Sequence, residues 1–258
     1  MKPPIVLVGI GEMGGVFARG LLRAGHPVYP VTRDTDIEEV AQAVPNPALV
    51  LVAVGEADLQ PVLERLPAAW RDCLGLLQNE ILPADWQRHG IADPTVISVW
   101  FEKKPGQEAK VIIPSPAYGP RAELLAAALE GIGIPTRILT NREDLLFELV
   151  LKNLYILTSN IAGLEAGGTV GALWADHRAL ANAVAGEVLD IQQALCGTRF
   201  DREALIHGML AAFDGDPQHK CMGRTAPARL ARAVEHADRL GLEVPTLRSL
   251  RGRHPARV

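Results

Sequence analysis

The sequence predicts an α/β fold in two parts, a doubly wound, mostly parallel sheet with an antiparallel edge in residues 1–140 and an all-helical domain in residues 141–258. Three observations predict it. Up to about residue 140, short β-branched runs alternate with helical patterns, as expected of strands covered by helices. After Asn141 the character changes to long helical patterns rich in Ala and Leu. With 258 residues, 48% of them apolar, the chain is also longer than a usual single domain and has enough hydrophobic material for two cores. The switch in composition falls between Ile138 and Asp144, which places the boundary there. A cleft between two such domains is where a site would be sought.

Taken in order, the predicted strands are Ile5 to Val8, Pro27 to Thr32, Leu49 to Val54, Leu74 to Gln78, Val96 to Trp100 and Val111 to Pro114. Between the first two lies a predicted helix, Met13 to Ala24, with Val16, Leu21 and Leu22 on its buried side and Gly25 placed to end it. The polar run Lys103-Lys104-Pro105-Gly106-Gln107 predicts an antiparallel hairpin from the last two strands. Helices are predicted over Glu143 to Leu157, Arg178 to Leu195, Arg202 to Phe213 and Ala226 to Leu240. The tail from Arg248 to Val258 reads as loosely held.

The bulk properties exclude several classes. A formal charge of -4 with no Lys/Arg-rich block offers no footprint for nucleic acid, so the expected partners are small molecules or copies of the chain. The apolar run in MKPPIVLVGIGEMGG is too short for a signal peptide, and no later stretch is expected to reach membrane-spanning length, so a cytoplasmic protein without membrane contact is expected. Cys73, Cys196 and Cys221 are far apart and show no metal or disulfide spacing, and they read as ordinary buried or half-buried thiols. No metal site is expected from the seven histidines either, since none forms an i, i+4 pair. His219, Lys220 and Cys221, beside Asp214 and Asp216, fall in a loop that either lines the mouth of the cleft or, as is more common, is simply solvated.

The strongest chemical signal is the turn Gly9-Ile10-Gly11-Glu12-Met13-Gly14. A dinucleotide diphosphate needs a tight turn, a backbone close enough to donate N–H groups, and a helix N-terminus to meet its charge. Glycines at 9, 11 and 14 supply these in that order. The turn follows a strand, opens an amphipathic helix and leads to a second strand, which is the context of a Rossmann-type dinucleotide site. Cofactor choice is read at the end of the second strand, where an acid grips a ribose hydroxyl and a cation accepts a 2′-phosphate. That place reads Thr32-Arg33, a hydroxyl and a planar guanidinium suited to phosphate, so NADP is expected over NAD. Asp34 keeps the alternative open, by pairing with Arg33 or by holding an NAD ribose itself.

A second signal lies in the apolar helix after Asn141. Glu148, Lys152, Tyr155 and Ser159 recur at spacings of four, three and four, which puts them on one helical face with Asn160 at its margin. If that face meets a substrate, Lys152 is a general acid or hydrogen-bond donor at a developing alkoxide. The plain alternative is a solvated stripe with a Glu148 to Lys152 surface pair.

The segment Phe147-Glu148-Leu149-Val150-Leu151-Lys152, with Asn160 eight residues after the lysine, resembles the start of the helical domain of ketopantoate reductases (2-dehydropantoate 2-reductases). The resemblance runs through the glycine turn, Thr32-Arg33, Leu76-Leu77-Gln78-Asn79, Glu187 leading to Gly197, and Gly241-Leu242-Glu243-Val244-Pro245. It implies that Lys152 protonates the ketone oxygen as hydride arrives from NADPH, that Asn160 and Asn79 orient substrate and nicotinamide with Ser159 beside them, and that Arg33 holds the 2′-phosphate. Gly9, Ile10, Gly11, Glu12, Met13, Gly14, Thr32, Arg33, Val54 and Asn79 then form the expected cofactor set. The chain departs from the family pattern at Gly55-Glu56 and Ile156, and at Arg224-Thr225-Ala226, which offers no carboxylate. The glycine turn and Gly20-Leu21-Leu22-Arg23-Ala24-Gly25-His26 are equally similar to β-hydroxyacid dehydrogenases. The readings left open are an NADP-dependent reductase of a small 2-oxo acid or related carbonyl, a β-hydroxyacid dehydrogenase, and a non-catalytic NADP-binding sensor. Apolar faces in the helical half make a homodimer the expected assembly.

Overall fold

The computed structural model describes residues 2–255 and divides the chain into two compact units, Met1–Leu149 and Val150–Val258. In the first unit the elements run β1 (Ile5–Val8), α1 (Glu12–Arg23), β2 (Val28–Val31), α2 (Ile37–Ala43), β3 (Leu49–Val52), α3 (Leu59–Glu64), β4 (Leu74–Leu76), α4 (Pro83–Gln87), β5 (Thr95–Ile97), β6 (Phe101–Glu102), β7 (Lys110–Val111), β8 (Ser115–Tyr118), α5 (Ala122–Glu130) and β9 (Thr136–Ile138). The long helix α6 (Arg142–Ala166) begins at the composition switch and passes from one unit into the other. The second unit continues with α7 (Val170–Asp176), α8 (Arg178–Cys196), α9 (Arg202–Gly215), α10 (Ala226–Leu240) and α11 (Pro245–Arg253).

Seven strands form one sheet in the order β2-β1-β3-β4-β5-β8-β9. Strands β1 and β3 are buried along their whole length, which is why both read as continuous Ile/Val/Leu runs without alternation. Ile5 pairs with Val28 on one side and Leu49 on the other, so the chain leaves β1 toward both flanks. That reversal of strand order is a topological switch point, where ligands bind outside the carboxyl ends of the strands. The sheet is parallel as far as β5 and reverses at the antiparallel β5–β8 pair. The reversal is made by β8, not by the predicted hairpin. Lys103 to Gln107 does close a hairpin, but from β6 and β7, which form a separate two-stranded ribbon.

Helix α1 lies one residue earlier than predicted. Its buried face is Gly14, Val16, Phe17, Gly20 and Leu21, and Leu22 is exposed. Gly20 lets α1 approach α5 closely, because a Cβ there would meet the Ala128 carbonyl oxygen at 2.4 Å. In the second unit, α8, α10 and α11 pack together. Glu187 on α8 accepts from the Thr246 and Leu247 amides at 2.8 and 2.9 Å and so caps α11. The predicted loose tail is thus helical to Arg253, and residues 256–258 lie outside the described residues.

One expectation about α6 needs correction. By length and apolar composition this helix is long enough to cross a membrane. However, 89% of its most apolar window is buried inside the protein, as in the core helix of a globular fold.

Candidate functional site

The glycine turn sits at the switch point. Gly9 follows β1 with φ +91°, a conformation that glycine adopts without strain. Its amide donates to the Val31 carbonyl at 2.9 Å. A Cβ at Gly9 would meet the Ala53 carbonyl oxygen at 2.8 Å, and one at Gly14 would meet the Gly9 oxygen at 2.2 Å. These two glycines are therefore required by the turn itself. Gly11 differs: a Cβ there would have nothing within 4 Å. Gly11 is the N-cap of α1, where the first helical amides have no intrahelical acceptor. A concave turn of amides at a helix N-terminus is the shape a diphosphate requires.

Around the turn, Ile10 is half exposed and Val54 lies against Gly9. Glu12 pairs with Lys103 of the β6–β7 hairpin at 3.1 Å, which brings a cation to the head of α1. The hairpin is pinned a second time through Arg19 and Glu108 at 3.1 Å. Sequence reasoning treated the Lys103 turn as a connection only, and nothing in its spacing links it to Glu12.

At the end of β2, Thr32 closes a small turn, its amide donating to Thr35 Oγ1 at 3.0 Å and its hydroxyl meeting the same atom at 2.9 Å. The Arg33 side chain is 90% exposed and pairs with Asp58 at 3.2 Å, not with Asp34. A surface pair of that kind contributes about 0–1 kcal/mol, so Arg33 is readily drawn to a stronger anion. Past β4, buried Gln78 donates to the Val52 carbonyl at 2.8 Å and locks the strand end, leaving half-buried Asn79 in the turn that follows.

In the helical unit, the polar stripe of α6 is not a wet face. Glu148, Lys152, Tyr155, Ser159 and Asn160 are all buried. Glu148 accepts from Arg137. The Lys152 ammonium lies 5.6 Å from the centre of the Tyr155 ring, and Tyr155 packs edge-on against Phe213 at 5.4 Å. Burial, and after it the Arg229 guanidinium, lower the Lys152 pKa from the ordinary 10.5 to about 7. Ser159 Oγ donates to the Tyr155 carbonyl at 2.7 Å. Asn160 donates to the Cys221 carbonyl at 3.0 Å and accepts from Arg229 at 2.8 Å. A buried ammonium that titrates near neutrality is the group a proton-donating catalyst needs.

The expected solvated loop is also more ordered than its composition suggests. Residues 217–221 are tied to 168–171 by the Val170, Gly171 and Cys221 amides, and Asp216 and Cys221 are buried. Burial pushes the Cys196 and Cys221 thiols up to about 11, which leaves them inert at neutral pH.

Arg229 is the residue that sequence reasoning missed. It is buried on α10, on the stripe shared by Ala226, Leu230, Ala233, Val234 and Ala237. An arginine at an apolar position of an amphipathic helix was the available signal.

The first unit, with its glycine turn at a switch point, has a doubly wound, Rossmann-type α/β fold. Compared with known proteins, the sequence matches no protein-family model and no curated protein. Solved structures match over almost the whole chain. The 2-dehydropantoate 2-reductase of Methylococcus capsulatus aligns with TM-score 0.70 at 16% identity, covering 99% of both chains. The dimeric ketopantoate reductase of Staphylococcus aureus aligns with TM-score 0.69 at 15% identity, covering 97% of this chain and 96% of that one. A D-mandelate dehydrogenase solved with NADH aligns with TM-score 0.66 at 13% identity, covering 97% of each. The fold is that of the ketopantoate reductases, shared at 15–16% sequence identity.

Proposed function

We propose that the chain is a cytoplasmic, homodimeric NADP(H)-dependent reductase of a small 2-oxo acid or related carbonyl, akin to ketopantoate reductases. Residues 1–140 are its dinucleotide domain and 141–258 its helical substrate domain. The observation that carries the reading is Lys152, a buried ammonium with a pKa of about 7 on a fold shared with such reductases.

In this reading the amides of Gly9 to Gly14 hold the diphosphate, with Gly11 leaving it room. Arg33 and Thr32 would take the 2′-phosphate, and Val54 and Asn79 would complete the set that holds the cofactor. The bound cofactor supplies the hydride. Lys152 gives its proton to the carbonyl oxygen as the new C–H bond forms, so no alkoxide accumulates. A lysine at its ordinary pKa would be a poor acid for this step, and burial makes Lys152 a stronger one. Ser159 and Asn160, bonded to one another, lie two turns further along the same helix.

The test is NADPH oxidation against a panel of 2-oxo acids, with Lys152→Ala as control. The reading expects turnover by the wild type, and a loss of roughly 100- to 10,000-fold in kcat for the variant at unchanged NADPH affinity. Tight NADPH binding with no turnover on any member of the panel refutes a reductase and leaves a nucleotide sensor.

A further inference from the structure

We infer that Lys103, carried by the β6–β7 hairpin, is a cofactor-binding residue: its ammonium bridges Glu12 and the diphosphate of the dinucleotide, so that the hairpin clamps the nucleotide at the glycine turn. The inference rests on the dinucleotide reading and deepens it.

Glu12 is the first residue of α1 and lies inside the glycine turn, between Gly11 and Gly14. A carboxylate there complements the positive end of the helix, which is the same end that a diphosphate would use. Two anions at one helix terminus repel, so a phosphate-binding turn that carries its own acid needs a cation beside it. Lys103 supplies one, with its Nζ 3.1 Å from a Glu12 carboxylate oxygen and its side chain only 20% exposed. The same Nζ donates to the Lys104 carbonyl at 2.8 Å. Among the described residues these are its two acceptors, and an ammonium has three N–H donors, so one is left for a ligand.

The hairpin also holds that ammonium in place. Phe101 at its base is buried and packs against Phe17 of α1, with ring centres 6.2 Å apart. Ala109 and Val111 on the return arm pack on the same core, as does Met13 of the turn. A second tie to α1 runs through Arg19 and Glu108 at 3.1 Å. Arg19 stands two turns beyond Glu12, so the two ion pairs fix the hairpin along one flank of the helix. A lysine tethered in this way loses less freedom on taking up a ligand than a free surface lysine does.

The experiment measures NADPH and ADP affinities by calorimetric titration of wild type, Lys103→Met, Glu12→Gln and the double variant. ADP carries a diphosphate without the nicotinamide or the 2′-phosphate, so a loss shared by both probes excludes those two groups as its source. Lys103→Met should weaken both probes by roughly tenfold to a hundredfold, as expected for the loss of a charged hydrogen bond. Glu12→Gln removes a competing anion and should bind both probes at least as tightly as wild type. In the Glu12→Gln background the ion pair to the hairpin is already gone. A further loss of roughly tenfold or more on adding Lys103→Met therefore reports contact with the ligand and not misplacement of the hairpin. Lys103→Gln takes the place of Lys103→Met if the latter does not fold. A folded Lys103→Met protein that binds both probes as wild type does, or a double variant that binds them as well as Glu12→Gln, overturns the inference and leaves the dinucleotide reading standing. Wild type that binds neither probe sinks both.

Discussion

Replacing Gly11 by alanine separates the ligand's need for the turn from the fold's. Gly11 has φ -66° and ψ -168°, which any L-residue adopts, and a Cβ there would touch nothing within 4 Å. Alanine is a poorer N-cap than glycine by about 0.5 kcal/mol. Restricting the unfolded chain returns about 0.4–1 kcal/mol. The two effects nearly cancel, so the melting temperature should move by no more than about 1–2 °C. Nucleotide binding should not escape so lightly. A methyl group in the space before the helix amides pushes the diphosphate off donors that contribute about 1.5–3 kcal/mol each. The NADPH dissociation constant should therefore rise roughly tenfold to a hundredfold. Nucleotide fluorescence titration alongside scanning calorimetry measures both quantities on the same samples. An unchanged dissociation constant in a folded Gly11→Ala protein refutes the placement of the diphosphate at this turn.

Other expectations follow from the same structure. Lys152 has its folded pKa lowered to about 7, so between pH 7 and 10.5 the unfolded chain binds the extra proton and wild-type stability rises with pH, by about 5 kcal/mol in all. Below pH 7 both states are protonated and the full cost is present. Lys152→Met should then melt higher than wild type at pH 6–7, with the gap closing toward pH 10; a gap independent of pH would contradict this. Arg33→Ala should weaken NADPH at least tenfold and leave NADH unchanged in parallel titrations, because the present partner of Arg33 is an exposed carboxylate. Glu187→Ala removes the acceptor for two α11 amides and should cost about 1–2 kcal/mol in denaturant unfolding; an unchanged midpoint would show that the cap carries no weight.

Residues whose environment is set by their near neighbours in sequence were legible. The run Ile5 to Val8, the glycines after it and Gly25 fix a strand, a turn and a helix within one stretch of chain. Residues 115–138 were not. Pro116 argues against a strand, yet it pairs with Arg137, and Ala122 to Glu130 is apolar nearly all round, so its helix shows no stripe. The site divides in the same way. Lys152 was found by periodicity, but four polar groups in register describe a wet face and a functional one equally well, and only tertiary burial decides between them. Arg229 is brought to Asn160 across 69 residues of sequence, and no local pattern encodes that contact.

Hydride transfer itself can be followed with NADPH deuterated at carbon 4 of the nicotinamide, on the face that is transferred. The purified protein is mixed with this cofactor and a 2-oxo acid, and the products are read by mass spectrometry. The account predicts a 2-hydroxy acid carrying one deuterium at carbon 2, formed by wild type and roughly a hundredfold or more slower by Lys152→Ala. Deuterated NADPH that stays bound and intact beside every 2-oxo acid offered would contradict it.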